Sequence, residues 1–274
     1  MRLTVLFLPL LLLAACDGQA DRPATAPNPV AVAAAESCVL PARLPAPEME
    51  RVRPDEVVAG RTIRYHLLAV TWMPETCRTG GDGQGDLACD SENRFGWTLH
   101  GLWPNADGKP YPRFCRPATR VSEATIRANL CRTPSVDLVQ HEWAAHGTCG
   151  WDTAEAYFAQ AAELYDGLKK PDPTALASGA RGPTAGQVRD AFVAANPGLS
   201  REAIYISVAS GNRLREVRVC HDLTFEPVAC PVGGLGAPDG VVLTVEPGGA
   251  SGAGGSGTST PPPSPPRRRR PPPI

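Results

Sequence analysis

Cysteine is the residue type that most constrains how this chain can fold. The 274-residue sequence contains nine cysteines, and eight remain if the one at position 16 is set aside. An even number suits a domain held together by disulfides in an oxidising compartment. A zinc site is the competing interpretation, but no two cysteines form a close Cys-x-x-Cys pair. The expected disulfides are Cys77–Cys89, Cys220–Cys230, Cys115–Cys149 and, by elimination, Cys38–Cys131.

The N-terminus predicts export. Arg2 precedes an apolar run over residues 3 to 13, which is too short to span a bilayer comfortably and is typical of a signal peptide. The run ends in Leu13-Ala14-Ala15-Cys16, which resembles a bacterial lipobox. Removal of a signal peptide at residues 1 to 15 would leave Cys16 as a lipidated N-terminus. We expect a periplasmic protein anchored by lipid to the inner or the outer membrane, and a buried core helix is the less favoured alternative.

Composition divides the chain into one domain with two tails. Residues 16 to 55 are rich in Ala and Pro and have little periodicity, which is typical of a flexible tether. Residues 247 to 274 pass from Gly and Ser into Pro and Arg repeats, a composition that cannot bury enough apolar surface to order itself. The folded domain is expected at residues 56 to 246. Arg267–Arg270 is interpreted as a solvated charge run, with attachment to anionic lipid or RNA as the alternative.

Charge limits how the domain can hold a polyanion. The formal net charge of the chain is -1. A broad basic surface of the kind that binds nucleic acid along its length is therefore excluded. Any polyanion would have to be held locally, at a few phosphates.

Hydrophobic periodicity predicts a mixed α and β domain. Residues 61 to 74 have apolar side chains on both faces, as in a strand that is buried on both sides. A second strand at residues 95 to 99 would deliver His100 at its end, where Gly101 and Pro104 turn the chain. Further strands are expected at residues 203 to 209, 214 to 220 and 241 to 245. Helices are expected at residues 122 to 130, 136 to 146, 153 to 168 and 184 to 196. A Gly- and Asp-rich loop is expected between Cys77 and Cys89.

Three of the five histidines lie in two short segments, Trp97–Pro104 and His141–Cys149. Ser135 can cap a helix that Gly147 ends just past the last histidine. On such a helix Glu142 and His146 are four residues apart, which places the carboxylate and the imidazole on one face.

The arrangement of these residues favours acid-base chemistry over the alternatives. His141 and His146 are five residues apart, about 140 degrees on an ideal helix, so they should diverge and not share a metal. No Gly-x-Ser-x-Gly elbow is present, and every exported cysteine has a plausible disulfide partner. Two imidazoles with a nearby carboxylate, His100, His146 and Glu142, suit concerted general acid-base catalysis.

The two histidine segments resemble the signature segments of the ribonuclease T2 family, endoribonucleases of secretory compartments. Family members typically have Phe-Thr-Ile-His-Gly-Leu-Trp-Pro and His-Glu-Trp-x-Lys-His-Gly-Thr-Cys at these places. The likeness extends over roughly residues 61 to 231 and includes the strand that ends at Trp72, Tyr111-Pro112 before Cys115, and Leu214–Cys220. It implies an α+β fold with a central antiparallel sheet flanked by helices and stabilised by disulfides.

The resemblance also implies a mechanism. His146 would act as the general base on the ribose 2′-OH, and His100 would protonate the departing 5′ oxygen. His141 would hydrogen-bond the phosphate, while Glu142 would polarise it or orient His146. The product would be a 2′,3′-cyclic phosphate, later hydrolysed to a 3′-phosphate, with no metal or other cofactor. DNA would be excluded because it lacks the 2′-OH, and a bell-shaped pH profile in the mildly acidic range is expected.

Ala145 is the main departure from the family pattern. It replaces a lysine that precedes the second catalytic histidine in the family. That lysine would stabilise the negative charge that develops on the phosphate. Loss of one such group commonly costs about 100-fold in rate. Arg94, Arg113 or Arg116 could replace it from a loop, and the sequence does not choose among them.

Two residues of the first segment bear on base recognition. Asn105 replaces the aspartate that often follows Trp-Pro in the family, which leaves the base preference open. Trp103 is a candidate for stacking on a base or, equally, for packing in the site. His66 and His221 are interpreted as structural.

The favoured function is an endoribonuclease of low base specificity that acts on single-stranded RNA. The alternative, motivated by Ala145, is a catalytically weakened T2-like RNA-binding or protein-interaction module. A surface lipoprotein that binds a protein partner is a third possibility. The expected partners are an RNA substrate and the membrane, through lipid on Cys16. A monomer without an obligate protein partner is expected.

Overall fold

The described part of the protein, in a computed structural model, comprises residues 38 to 78, 86 to 89, 93 to 177, 181 to 231 and 236 to 248. The predicted signal peptide, Cys16, most of the tether and Arg267–Arg270 lie outside these residues. Among the helices that are described, none is both long enough and apolar enough to cross a membrane.

A four-stranded antiparallel sheet forms the centre of the fold. Its strands are β1 (Tyr65–Trp72), β2 (Trp97–Asn105), β3 (Ile204–Ala209) and β4 (Arg213–His221), in the order β2-β1-β4-β3. The predicted α+β class with an antiparallel sheet is confirmed. Seven of the eight residues of β1 are buried, because β1 lies inside the sheet and is covered on both faces. The β3-β4 hairpin turns through Gly211 and Asn212, which both adopt the positive φ that such a turn requires.

Two predictions about the strands were wrong. β2 does not stop at Leu99 but continues to Asn105, and Pro104 is tolerated because β2 lies at an edge of the sheet. Residues 241 to 245 do not form a strand. They make only isolated bridges, from Val242 to Thr184 and from Thr244 to Arg213.

The described residues also form six α-helices. They are α1 (Met73–Arg78), α2 (Asp86–Cys89), α3 (Glu123–Asn129), α4 (Val136–Ala145), α5 (Ala154–Gly167) and α6 (Ala185–Ala195). The last four begin after a Ser or Thr whose hydroxyl accepts a hydrogen bond from a backbone N–H of the first turn. Because this capping is local, the starts of these helices are readable in the sequence. α1 ends at the start of the loop predicted between Cys77 and Cys89, and α2 lies within that loop.

Helix α5 supports the edge strand that carries the first histidine segment. Tyr157 of α5 is fully buried, and its hydroxyl accepts a hydrogen bond of 3.1 Å from the backbone N–H of Leu102 in β2. An edge strand leaves alternate N–H groups without a strand partner, and a buried one needs an acceptor. Tyr157 supplies that acceptor and so fixes the position of β2 over the helices.

The described residues form four disulfides, and their pairing is the predicted one. Cys77–Cys89 and Cys220–Cys230 close short loops, while Cys115–Cys149 joins the stretch before α3 to the turn after α4. Cys38–Cys131 links residues 93 positions apart and holds the end of the predicted tether against the domain. The predicted domain boundaries themselves stay a prediction.

We expect acid to destabilise the fold through two buried histidines. His66 and His221 lie opposite each other on β1 and β4. Burial lowers the pKa of both, that of His221 to about 4. An unfolded histidine has a pKa of about 6.5, so the unfolded chain binds more protons below that pH. The free energy of unfolding should therefore fall as the pH drops from 6.5 to 4, with up to about 3 kcal/mol from His221.

Urea unfolding between pH 7 and pH 4 measures this effect. His221→Asn is the matched variant, because its amide can replace the ring N–H that faces the carbonyl of Val219. The variant should lose less stability in acid than the parent protein. An identical pH dependence in the two proteins would contradict the assignment.

Candidate active site

A β-bulge on β2 sets the direction of the His100 side chain. Ala69 of β1 lies opposite Gly101 of β2. The next residue of β1, Val70, lies opposite Leu99, so His100 has no partner on β1. A bulge bends its strand and redirects the side chain at that point. His100 therefore lies within β2, with its side chain 25% exposed, and not at the end of a strand as predicted.

Glu216 of β4 holds the ring of His100. Its Oε1 lies 2.6 Å from His100 Nδ1, and its Oε2 accepts two hydrogen bonds from Arg218. Burial lowers the pKa of His100, but the hydrogen bond to Glu216 and the charges of Glu142 and Glu216 outweigh it, so the pKa is raised. Burial alone would raise the pKa of Glu216, but His100 and Arg218 bring it to about 2. The pair therefore favours a protonated imidazole at His100.

Glu142 reaches β2 because Gly101 has no side chain. A Cβ atom at position 101 would collide with Oε2 of Glu142. Trp103 Nε1 donates a 2.8 Å hydrogen bond to that oxygen, and Oε1 lies 3.5 Å from His100 Nε2. The carboxyl is 1% exposed, and burial raises its pKa against the opposing charges of His100 and His141. Its side chain thus joins Trp103 to His100, and its hydrogen bond with His146 is made by the backbone, where the N–H of His146 donates to the carbonyl of Glu142.

Helix α4 ends one residue earlier than predicted. Its last residue is Ala145, and His146 follows as the cap with φ -122° and ψ -46°. The angles of an ideal helix therefore do not apply to His146. The prediction that His141 and His146 diverge was wrong, because the centres of their rings are 6.4 Å apart.

His146 has the opposite electrostatic environment to His100. Burial lowers its pKa well below the usual value, and the charges of His141, Arg113 and His100 lower it further. Its Nδ1 is buried and has no hydrogen-bond partner. The site thus favours a neutral imidazole at His146, which can accept a proton.

The donor atoms of His141, Glu142 and His146 lie within 4.8 Å of one another, a spacing that a metal ion could bridge. The side chains of two of these three residues already make hydrogen bonds within the protein. Glu142 accepts from Trp103, and His141 Nδ1 lies 2.8 Å from Glu50 Oε2. The expectation of metal-free chemistry therefore stays a prediction, to be tested in a chelator.

Trp103 lies between the two catalytic candidates. Its ring centre is 5.0 Å from that of His100 and 5.4 Å from that of His146. The guanidinium of Arg218 lies 4.8 Å from the Trp103 ring centre and 5.5 Å from that of Tyr205. Trp103 is therefore packed within the site, and it also contributes to the wall of a cavity.

That cavity, of about 650 Å³, adjoins His146. Its size falls within the range of small-ligand sites. Trp103, Asn105, Tyr111 and Arg113 line it together with His146. Asn105 is 3% exposed, and its Nδ2 donates to the carbonyl of Trp103, so one of its two amide N–H groups is already used within the chain.

Glu50, Glu216 and Arg218 were missed in the sequence. The signal for two of them was present, since Glu216 and Arg218 alternate with Leu214 and Cys220 on one face of a predicted strand. A buried carboxylate in such a place needs a partner. No local pattern marks Glu50, because its contact with His141 joins residues 91 positions apart.

The ribonuclease T2 family matches residues 63 to 230, well over half of the chain. The match includes both histidine segments and all four strands. The chain belongs to the ribonuclease T2 family.

Two curated relatives share part of this region. A probable ribonuclease of Haemophilus influenzae is 36% identical over 124 residues, which cover 40% of this chain and 45% of that protein. A ribonuclease of Aeromonas hydrophila is 30% identical over 117 residues, which cover 43% of this chain and 51% of that protein. The chain spans about half the length of these relatives.

Solved structures share the fold. An RNase-related protein from Calystegia sepium superposes with a TM-score of 0.54 at 19% identity and covers 69% of this chain and 99% of its own. RNase NT in complex with 5′-AMP gives a TM-score of 0.50 at 22% identity, covering 68% of this chain and 100% of its own. At these identities the likeness establishes the α+β fold.

We expect Glu216→Gln to lower the pKa of His100. The variant keeps the shape of the side chain but removes the negative charge that favours the imidazolium. NMR titration of the His100 ring proton measures the effect without any substrate. Glu163→Gln, on an exposed part of α5, is the matched control and should leave the titration unchanged. An unaltered His100 titration in Glu216→Gln would show that the raised pKa has another origin.

Proposed function

We propose that this protein is an endoribonuclease that cleaves single-stranded RNA by transphosphorylation, without a metal. The observation that carries the proposal is the pair of imidazoles on either side of Trp103, with the pKa of His100 raised and that of His146 lowered. Over the pH range between these two values, one ring holds a proton to give and the other can take one. Membership of the ribonuclease T2 family supports the same substrate class.

In the first step, neutral His146 takes the proton of the ribose 2′-OH, and the 2′ oxygen attacks the phosphorus. Protonated His100 gives its proton to the departing 5′ oxygen, so the products are a 2′,3′-cyclic phosphate and a free 5′-OH. In the second step the roles reverse. His100 takes a proton from water, His146 protonates the 2′ oxygen, and a 3′-phosphate results with both histidines restored.

The remaining polar groups serve the charge that develops on phosphorus. His141 is half-buried next to His146 and could donate a hydrogen bond to the phosphate. Glu142 favours the imidazolium at His100 and fixes the indole of Trp103. Glu142 thus acts mainly on His100 and Trp103.

Low base specificity fits the cavity beside His146. Its wall is largely aromatic and apolar, and such surfaces stack on any base. Asn105 is 3% exposed, and one of its two amide N–H groups already donates to the carbonyl of Trp103, so few of its polar groups are open to a base. We therefore propose that the base is held mainly by stacking.

A catalytically weakened RNA-binding or protein-interaction module is the second candidate. Ala145 motivates it, because the family lysine at that position is missing. Turnover separates the two functions, since a binding module would hold RNA without producing a cyclic phosphate.

His146→Ala should reduce cleavage of a short fluorogenic RNA by about 100-fold to 10,000-fold, the usual range for loss of a general base. The assay is run in EDTA from pH 4 to pH 8, with the cyclic-phosphate product followed directly. The parent protein should give a bell-shaped profile. Its acid limb should lie below the usual histidine pKa because of His146, and its alkaline limb above it because of His100.

RNA binding without turnover in the parent protein would favour the binding module, and activity that EDTA abolishes would contradict the metal-free step.

We also propose that the enzyme is exported and anchored by lipid on Cys16. The apolar run before Cys16 and the four disulfides support an oxidising compartment. The lipid would keep the nuclease at the cell membrane.

Cys16→Ser should abolish lipid labelling and release the protein from the membrane fraction. Metabolic labelling with a radioactive fatty acid and fractionation of cells measure both effects. Cys38→Ser is the control, because it removes a disulfide partner and leaves Cys16 in place. Membrane association that survives Cys16→Ser would reject the anchor.

A further inference from the structure

Ala145 leaves the site without the cation that its family places there. The residue is fully buried, and it packs with Ala144 against Phe114. Two carboxylates, Glu142 and Glu216, lie close to His100. A phosphate entering this site therefore needs positive charge from a source other than position 145.

The cavity wall contains three cationic side chains among the described residues, namely Lys109, Arg113 and Arg218. Arg218 is already bound to Glu216 and covers Trp103. Lys109 is exposed. Arg113 is half-buried, and its Nε is buried without a hydrogen-bond partner. A buried donor of this kind costs stability unless a ligand accepts from it.

The backbone places Arg113 beside position 145. The N–H of Phe114 donates a 2.9 Å hydrogen bond to the carbonyl of Ala145. Arg113 exchanges two backbone hydrogen bonds with Val58, and Cys115 is joined to Cys149. The stretch that carries Arg113 is thus fixed on both sides and docks on the residue that replaces the lysine.

Side-chain packing also places Arg113 near position 145. The guanidinium of Arg113 lies 5.0 Å from the ring centre of Phe114, which covers Ala145. The same ring therefore contacts both position 145 and the guanidinium of Arg113. The charge of Arg113 also acts on His146, whose pKa it helps to lower. Arg113 and His146 both line the cavity.

The other two arginines named from the sequence do not have this position. Arg116 donates to the carbonyls of Thr148 and Trp151. Arg94 is exposed and is not part of the cavity wall.

We propose that Arg113 is the phosphate-binding cation of this site and replaces the family lysine from a different element. The inference rests on the proposed ribonuclease function. The guanidinium would donate to a non-bridging oxygen of the phosphate and stabilise the charge that grows there during attack by the 2′ oxygen.

Kinetics of Arg113→Gln on the fluorogenic RNA, in the full chain, test this assignment. We expect kcat to fall about 100-fold, the usual cost of one lost donor to a developing charge. The acid limb of the pH profile should also move to higher pH, because the charge that lowers the pKa of His146 is gone. Arg113→Lys should retain more activity than Arg113→Gln. Arg94→Gln, with the same loss of charge on the surface, should match the parent protein.

Inorganic phosphate provides a second measurement that does not need turnover. Phosphate should raise the thermal midpoint of the parent protein and of Arg94→Gln, and should have little effect on Arg113→Gln. If Arg113→Gln does not fold, Arg113→Ala takes its place, since the backbone contacts that hold this stretch do not involve the side chain.

The outcomes separate the two proposals. Full activity of Arg113→Gln, in a protein that His146→Ala inactivates, would overturn the role of Arg113 and leave the ribonuclease intact. If the parent protein does not cleave RNA, the ribonuclease fails, and the phosphate measurement still decides Arg113. Equal stabilisation by phosphate in the parent protein and in Arg113→Gln would overturn the assignment.

Discussion

The site depends on the close approach of helix α4 to strand β2 at Gly101. Glu142 lies where a side chain at position 101 would be, and from there it binds Trp103 and approaches His100. The two histidine segments are distant in sequence, and this contact is what joins them. Any larger residue at 101 would have to push the helix away, which would separate His100 from Glu142. The bulge on β2 and the hydroxyl of Tyr157 hold the strand in the position that the contact requires.

Buried charge then makes two identical side chains different. His100 lies between two carboxylates, whereas His146 faces Arg113 and the other histidines. Burial by itself lowers the pKa of any imidazole, as it does for His146, and only the carboxylates beside His100 reverse that direction. Glu216 belongs to the site for this reason, although it lies outside the two signature segments. The same effect of nearby charge explains why Arg113 serves a double purpose, as an anion-binding group and as a charge that keeps His146 neutral.

Much of the fold could be predicted because its signals are local. The starts of α3 to α6 follow from hydroxyl caps, and the β3-β4 hairpin follows from Gly211 and Asn212. The end of β2 and the strand expected at residues 241 to 245 were wrong, since a strand exists only if a partner pairs with it. The helix end at Ala145 was missed by one residue. That small error mattered, because the prediction that His141 and His146 diverge applied ideal helix angles to His146, which lies outside the helix.

The sequence by itself determined the residue types of the site, the two cysteine pairs that close short loops, and the family. These are matters of local pattern and of spacing along one chain. Only the tertiary structure decided which charged groups surround each histidine, and which of three arginines lies at the cavity. Contacts such as His100 with Glu216 and His141 with Glu50 join residues 116 and 91 positions apart. Electrostatic effects fall off with distance in space and not along the chain, so they are defined only once the sheet and the helices are packed.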